Sequence, residues 1–434
     1  MEATTVPKNY ESEVLDHLGL VAGMYDEFQI GDRIDGHIAQ DFEEREVSVG
    51  QAVKAMVING LGFVQQALYL TPQFFKARPT ERLVGEGIRP EHLNDDTLGR
   101  ALDSLYDYGV TELFRDLAAH GAAQVGLAPR FAHLDATSFL AHGEYDSERE
   151  GGDGVIQVRK GYSRDRRPDL NQVVLNLMVE HTAGLPMLME PLSGNASDQS
   201  SFPELIDRHI DQLQNAYGFD YVVADSSLYS ASHVEDLDNS GVKFITRVPL
   251  TISEAEEVVQ ETDPAALEPL TEGYEAREYI SEYGGVEQRW LVVHSEAAEA
   301  RAKESAANRR DREHKEEKRE FRELLAREFS CREDAKKALS AFEEDLTAST
   351  LAESRVLRAI CFTMDEERAP VETGEESYLL QGKLVPSEAR WAELVKRKSF
   401  FILATNELDE ERLSGRDLLK GTRDKARWSG ASGL

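Results

Sequence analysis

Two aspartates stand where a carboxylate is expensive. Asp135 lies inside the apolar run FAHLDATSFLAHG (131–143), and Asp225 closes the run YVVADSS (221–227). A carboxylate among apolar side chains is costly unless it is paired or bound to a cation. Carboxylates on neighbouring strands that share divalent ions offer that compensation, and two ions can clamp the entering and leaving oxygens of a phosphoryl transfer. The alternative is a strand-end aspartate that caps a turn through its own side chain. The segment VRKGYSRDRRPDLNQ (158–172) adds a second signal. Arg159, Lys160, Arg164, Arg166 and Arg167 concentrate positive charge there, while Gly161 and Pro168 mark a loop. Beside acidic metal ligands such a loop suits a phosphodiester backbone, with arginine forks on phosphates and Asn171 and Gln172 available for polar contacts. The alternative is a surface loop neutralised by Asp165 and Asp169.

Other motifs carry less. Gly85-x-Gly87 lacks a third glycine and a preceding strand, which makes it a turn and not a nucleotide loop. His133 and His142 flank Asp135 without a further His or Cys partner and read as ordinary core or surface histidines. Walker loop, nucleophile elbow and HExxH are all absent from the sequence. Cys331 and Cys361 are the only cysteines, too few for a disulfide framework or a four-thiolate zinc site, and read as free thiols in a reducing compartment.

The elements that must position the two aspartates can be read from periodicity. Residues 45–70 place Val49, Val53, Met56, Val57, Leu61, Val64 and Leu68 at helical spacing, and a second helix runs from Thr97 through Leu117 with the Asn94-Asp95-Asp96 run as its N-cap. The first 125 residues therefore read as a helical domain. Strands are expected at 131–143, 173–181, 185–194, 221–227 and 243–249, with a helix from Phe202 to Tyr217 between the third and fourth. That order describes a mixed α/β layer with one crossover long enough to give a parallel neighbour. Residues 251–395 read as an insertion with one convincing strand at 288–295 and a charge-dense helix or helical hairpin from Glu296 to about Ala348. There Arg309, Arg310 and Arg312 are better matched to neighbouring acids than to DNA. The segment 396–434 returns to the sheet through SFFILATN (399–406).

Composition narrows the function classes. The chain has 434 residues and a net charge of -32, which disfavours a DNA binder that relies on bulk positive charge. Hydrophobic residues make up 41%, enough for real cores, so the acidity belongs to a folded surface. Self-repulsion on that scale is screened at high salt, which points to a salt-loving host. The longest apolar run, Val173 to Val179, is interrupted by Asn176 and falls far short of the ~20 residues a membrane span needs. The N-terminus has no apolar leader, so a soluble cytoplasmic protein is expected, nucleoid-associated when bound to DNA.

LDATSF (134–139), KGYSRDRRPDLNQVVLNLMV (160–179), PLSGNASD (191–198), VVADSSLYS (222–230) and FILATNEL (401–408) together resemble the DDE transposases of insertion sequences, in the IS-four superfamily and its sixteen-thirty-four branch. The likeness runs from about Phe131 to Leu419. It implies an RNase H-like mixed sheet with helices on both faces, preceded by a helical accessory domain. It also implies Asp135 and Asp225 as the first two members of an acidic triad that binds two Mg²⁺ or Mn²⁺ ions. The expected activity is metal-dependent cleavage and strand transfer at transposon ends, carried out by a homo-oligomer on DNA ends and target DNA.

The departure from the family pattern lies at the third acid. In the family a Glu stands on a helix after the strand that corresponds to FFILATN, in a Y-x2-R-x3-E-x6-K pattern in which Gln can replace the Arg. Here the chain reads TRDKARWSGASGL after Gly421, with no Glu. Glu407, Glu410 and Glu411 lie before the expected position. Reading one base earlier from the end of the Gly421 codon, with TGG for Trp428 and GC-rich codons, yields a Y-x2-Q-x3-E string whose Glu falls across the Trp428–Ser429 codons. The expectation is a truncated or frameshifted transposase, inactive or impaired unless programmed frameshifting completes it. Its competitors are a catalytically dead protein that occupies transposon ends or inhibits transposition, and a metal-dependent nuclease with relaxed requirements. Loss of the last core helix is also expected to bare an apolar face near Phe400–Leu403.

Overall fold

The computed structural model describes residues 15–39, 46–62, 66–143, 145, 155–162, 167–364 and 370–428, without the side chains of 198–200, 360–364, 370–375 and 423–428. Arg164 and Arg166 lie outside the described residues. The chain divides into two compact units, one of residues 1–245 and 421–434, the other of residues 246–420.

In the first unit, residues 18–124 form α1 (Leu18–Glu27), α2 (Ile30–His37), α3 (Val49–Gly60), α4 (Thr71–Phe75), α5 (Thr80–Leu83), α6 (Asp95–Tyr108) and α7 (Val110–Gln124). Ser48 and Gln51 close a capping box at the start of α3, and Asn94 Oδ1 accepts the Thr97 amide at 2.9 Å to start α6. One apolar core, with Phe75, Leu83, Leu93 and Leu98 fully enclosed, holds these helices together. The single helix expected over 97–117 is broken, because Gly109 adopts a φ of 104° between α6 and α7. The helical pattern of 45–70 likewise stops at Gly60 and resumes only as a 3₁₀ turn at Leu68–Leu70.

The sheet of this unit contains β1 (Phe131–Ala141), β2 (Asn171–Glu180), β3 (Pro186–Ser193), β4 (Tyr221–Val223) and the first half of β5 (Lys243–Val248), in the order β3-β2-β1-β4-β5. β1, β2 and β3 pair antiparallel, and β4 runs parallel to both β1 and β5. The parallel step needs a crossover, supplied by α8 (Asp198–Tyr217), and α9 (Ala231–Asn239) supplies the next. The tight β2–β3 turn is organised by Glu180, whose carboxylate accepts the amides of Thr182, Ala183 and Leu185 at 2.6, 2.5 and 3.1 Å. Burial works against its charged form, but these hydrogen bonds outweigh it and hold the carboxyl below the ordinary range.

The second unit continues from β5. After α10 (Ser253–Glu261), an antiparallel meander of β6 (Glu268–Thr271), β7 (Tyr274–Tyr283) and β8 (Val286–Ser295) pairs through β8 with β11 (Phe400–Thr405), and β11 pairs with Thr246–Val248 of β5. Between them lie α11 (Glu296–Leu325), α12 (Arg332–Asp345), a two-stranded ribbon of β9 (Ser349–Met364) and β10 (Pro370–Pro386), and α13 (Glu388–Ser399). The charged hairpin is thus present. Arg309 pairs with Glu313 at 2.6 Å, and Arg310 with Asp311 and Glu388 at 3.5 and 3.4 Å. Of the strands between α10 and α13, the sequence pattern marks only 288–295. The final helix, α14 (Gly415–Trp428), follows β11. The expected bare face near Phe400–Leu403 is not found: Phe400, Ile402 and Leu403 are buried, in a strand packed against α10 and α13. Among the described residues, no helix is long and apolar enough to cross a membrane.

Candidate active site

The strands that lead to the two aspartates are direct parallel neighbours. Phe131, Ala132 and His133 pair in parallel with Tyr221, Val222 and Val223. The next residue of the second segment still follows the sheet, since the Ala224 amide donates to Ile245 O at 3.1 Å. Continuing the register by two residues sets Asp135 opposite Asp225. Opposed residues in a sheet share a face, and neighbouring strands lie about 5 Å apart. Carried that far, the register would bring the two carboxylates to one face, and both residues are half-buried.

Each aspartate is also held locally. Asp135 Oδ1 accepts the Ala136 amide at 3.1 Å. Asp225 caps the 3₁₀ turn Ser226–Leu228, its Oδ1 accepting the Ser227 amide at 3.0 Å and the Ser227 hydroxyl. The turn-capping reading of the sequence is thus realised at Asp225, and it fixes the orientation of that carboxylate. Ser227 was not singled out from the sequence, although the Asp-Ser-Ser run, with a hydroxyl two residues beyond a strand-end Asp, carries the signal. His133 is a core residue at 3% exposure and His142 is exposed.

Helices lie on both faces of this sheet. A Cβ on Gly421 of α14 would sit 3.5 Å from Phe131 Cε1 and 3.6 Å from Ile245 Cδ1. Phe131 is four residues before Asp135 and shares its face, so α14 covers the beginning of the carboxylate face. On the opposite face, Ser201 of α8 lies 3.5 Å from Asn176, which pairs with Ala136.

The basic segment is braced from within. Arg159 and Gln172 exchange backbone hydrogen bonds at 3.2 and 3.0 Å, and the Gln172 side-chain amide donates to Tyr162 O at 3.1 Å and Gly194 O at 2.8 Å. Gly161 and Gly194 meet backbone to backbone, where any Cβ would collide with Gly194 O on one side and with Gln172 O and Arg159 O on the other. Gln172, at 1% exposure, is thus a brace of this segment. Gln172 also pairs with Leu140, on the face opposite Asp135, so Arg159 points away from the carboxylates. Lys160 is exposed, and the alternation of an extended chain sends it to the carboxylate side. Arg167 is exposed but forks onto Asp169 at 2.9 and 2.8 Å, and its hydrogen bonds hold the Asp169 carboxyl down to about 2. Asn171 is half-buried at the start of β2.

The third acid has no counterpart among the described residues, where no group of three or more His, Cys, Asp or Glu side chains is placed to hold a metal. Glu407 is 4% exposed and is used locally, accepting the Asp409 amide at 3.2 Å and pairing with Arg412 at 3.4 Å. Glu410 and Glu411 are exposed. Asp135 and Asp225 offer oxygen donors of the kind that a hard divalent cation takes.

No curated protein matches the chain. Among solved structures it is similar to the piggyBac transposase of a cryo-EM synaptic complex with hairpin DNA, at 10% identity and a TM-score of 0.29, covering 68% of this chain and 52% of that one. The aligned part thus spans about half of that transposase chain. Residues 10–119 match a domain of unknown function, DUF4277. Residues 127–376, more than half of the chain and including both aspartates, match the Transposase DDE domain, and the chain belongs to that DNA transposase family.

Proposed function

We propose that Asp135 and Asp225 are the first two acids of an RNase H-like catalytic domain that cleaves and joins DNA at the ends of an insertion sequence of the IS-four superfamily, sixteen-thirty-four branch. The parallel register of 131–133 with 221–223, carried two residues further to Asp135 and Asp225, supports the reading. The sheet order β3-β2-β1-β4-β5, antiparallel then parallel, and helices on both faces support it. Transposase DDE domains use divalent metal ions, here Mg²⁺ or Mn²⁺. When bound, two such ions stabilise charge on the entering and leaving oxygens of an in-line displacement. Asp135 and Asp225 supply anionic oxygen ligands, and Ser227 holds Asp225 in one orientation. Residues 1–125, helical over much of the described part, serve as an accessory domain, and the active species is a homo-oligomer on paired ends.

Helix α14, which follows β11, carries no Glu, and Glu407 is committed to Asp409 and Arg412. We therefore infer impaired catalysis, by orders of magnitude, because a triad of carboxylates is reduced to a pair. The same observation favours a second reading, a protein that binds transposon ends without cutting them. Nicking of supercoiled plasmid and strand transfer of labelled ends, each with Mg²⁺ and with Mn²⁺, separate the two. Weak nicking abolished by Asp135→Asn supports impaired catalysis, and end binding with no nicking supports the second reading. Efficient joining would refute the claim of impairment.

A further inference from the structure

Helix α7 packs against β3 and α8, and its polar contact with α8 turns on one buried imidazole. His209 of α8 is 5% exposed. Arg115 Nη1 of α7 lies 3.4 Å from His209 Nδ1, and the same nitrogen donates to Gln212 Oε1, about one turn further along α8. A guanidinium keeps its charge and has no acceptor, so Arg115 donates and the ring nitrogen accepts. An accepting Nδ1 belongs to the neutral ring, which places the single ring proton on Nε2. That Nε2 is buried without a hydrogen-bond partner among the described residues. The charges around the ring do not favour a second proton. Arg208 acts on it from α8, Glu190 from β3, and Arg115 and Glu112 from α7. Glu190 is matched by Arg208 at 2.6 Å, and Glu112 is exposed, where water and salt screen it. Burial first, and then the Arg208 charge, hold His209 below the ordinary histidine range.

Arg115 belongs to the stretch that matches the domain of unknown function, whereas His209 and Gln212 belong to the stretch that matches the transposase domain. We propose that Arg115, His209 and Gln212 form an acid-released latch between the helical N-terminal region and the transposase domain, closed while His209 is neutral and opened when its Nδ1 takes a proton from solvent. That protonation turns Nδ1 from an acceptor into a donor, so the Arg115 hydrogen bond is lost and two cations are left side by side. Because folding favours the neutral ring, the latch contributes fully above the unfolded histidine value of about 6.5 and is lost as pH falls through the lower folded value. The proposal does not depend on the reading of Asp135 and Asp225 as a cleaving pair.

The test is amide hydrogen exchange of the full chain at about pH 7.5 and about pH 5.5, with rates corrected for the intrinsic pH dependence of exchange. In the wild-type chain α7 is expected to open more readily at the lower pH, by up to about tenfold, the limit for one group read one unit below its unfolded value, while α3 keeps its protection. His209→Gln retains a side-chain acceptor and does not titrate, and is expected to lose most of that increase. Arg115→Met removes the donor and is expected to leave α7 about equally open at both pH values. His37, paired with Asp116 of α7 at 2.6 Å, and His120 of α7 are present in both variants, which separates their titration from that of His209. Circular dichroism identifies the variants that fold. Equal opening of α7 at both pH values in the wild-type chain overturns the latch. So does an increase that persists undiminished in either folded variant, and so does one that α3 shares, which would mark a general loosening by acid.

Discussion

Replacing Gln172 by Met keeps the length of the side chain and removes its amide, which tests the brace behind the basic segment. In the native chain that amide donates to Gly194 O at 2.8 Å and Tyr162 O at 3.1 Å. Gly194 is buried, so its carbonyl would lose a partner without gaining water, at a cost of about 1–3 kcal/mol. The Tyr162 carbonyl belongs to an exposed residue and recovers a water, leaving a net loss of about 0.5–1.5 kcal/mol. Gln172 Oε1 is itself buried without a hydrogen-bond partner, and its removal returns part of that cost. A net of about 2 kcal/mol follows, or roughly 30-fold in the local opening equilibrium. Amide hydrogen exchange by NMR reads it directly. The Arg159 amide, bonded to Gln172 O, and the Gly194 amide, bonded to Gln157 O, are expected to exchange roughly 30-fold faster, with α3 unchanged. Wild-type protection at both amides would refute the claim that this side chain, and not the backbone bridge alone, fixes the segment.

Further outcomes follow from other contacts. Gly421→Ala places its Cβ at ordinary contact distance from Phe131 and Ile245 and improves helix propensity by up to ~1 kcal/mol, so it should leave stability unchanged or raised, whereas Gly421→Leu should lower it by about 1–3 kcal/mol in thermal denaturation. Because the Glu180 carboxyl is held below its ordinary value, its contribution to stability is complete above the unfolded pKa of about 4.3 and is lost as pH falls through the lower folded value. Glu180→Gln should therefore unfold earlier at pH 7 and narrow the difference from wild type in urea titrations at more acidic pH. The Asp169 signal, followed by carbon-detected NMR, should titrate near 2 in the native chain and return toward the usual range in Arg167→Gln. The net charge of -32 leads us to expect a rising melting temperature as KCl is increased toward about 2 M, and a flat or falling curve would contradict the repulsion argument.

How much of this was legible in the sequence depends on the kind of signal. β1 to β5 and α8 follow from short β-branched runs and one amphipathic helix, because period-2 and period-3.6 patterns survive where one face of an element is buried. The pairing of Asp135 with Asp225 could be suspected but not placed, since register is a property of two strands together. Gly109 escaped notice because its positive φ is not written in its neighbours. β9 and β10 escaped because a two-stranded ribbon carries mixed polar and apolar residues on both sides and reads as neither pattern. The bracing of Arg159 against Gln172 was not legible, because composition cannot tell which face of an extended chain a side chain takes. The tight meeting of Gly161 with Gly194 gives a physical reason for glycine at both positions in the two motif strings that sequence reading singled out.

Asp135 and Asp225 are proposed to act as a pair on a divalent cation. Mn²⁺ binding measured by electron paramagnetic resonance on the wild-type chain, Asp135→Asn and Asp225→Asn tests it without relying on turnover. The account expects each substitution alone to weaken Mn²⁺ binding by about tenfold or more, and the double variant to bind little more weakly than either single one, because the two carboxylates serve one site. Wild-type Mn²⁺ affinity in either single variant would contradict it.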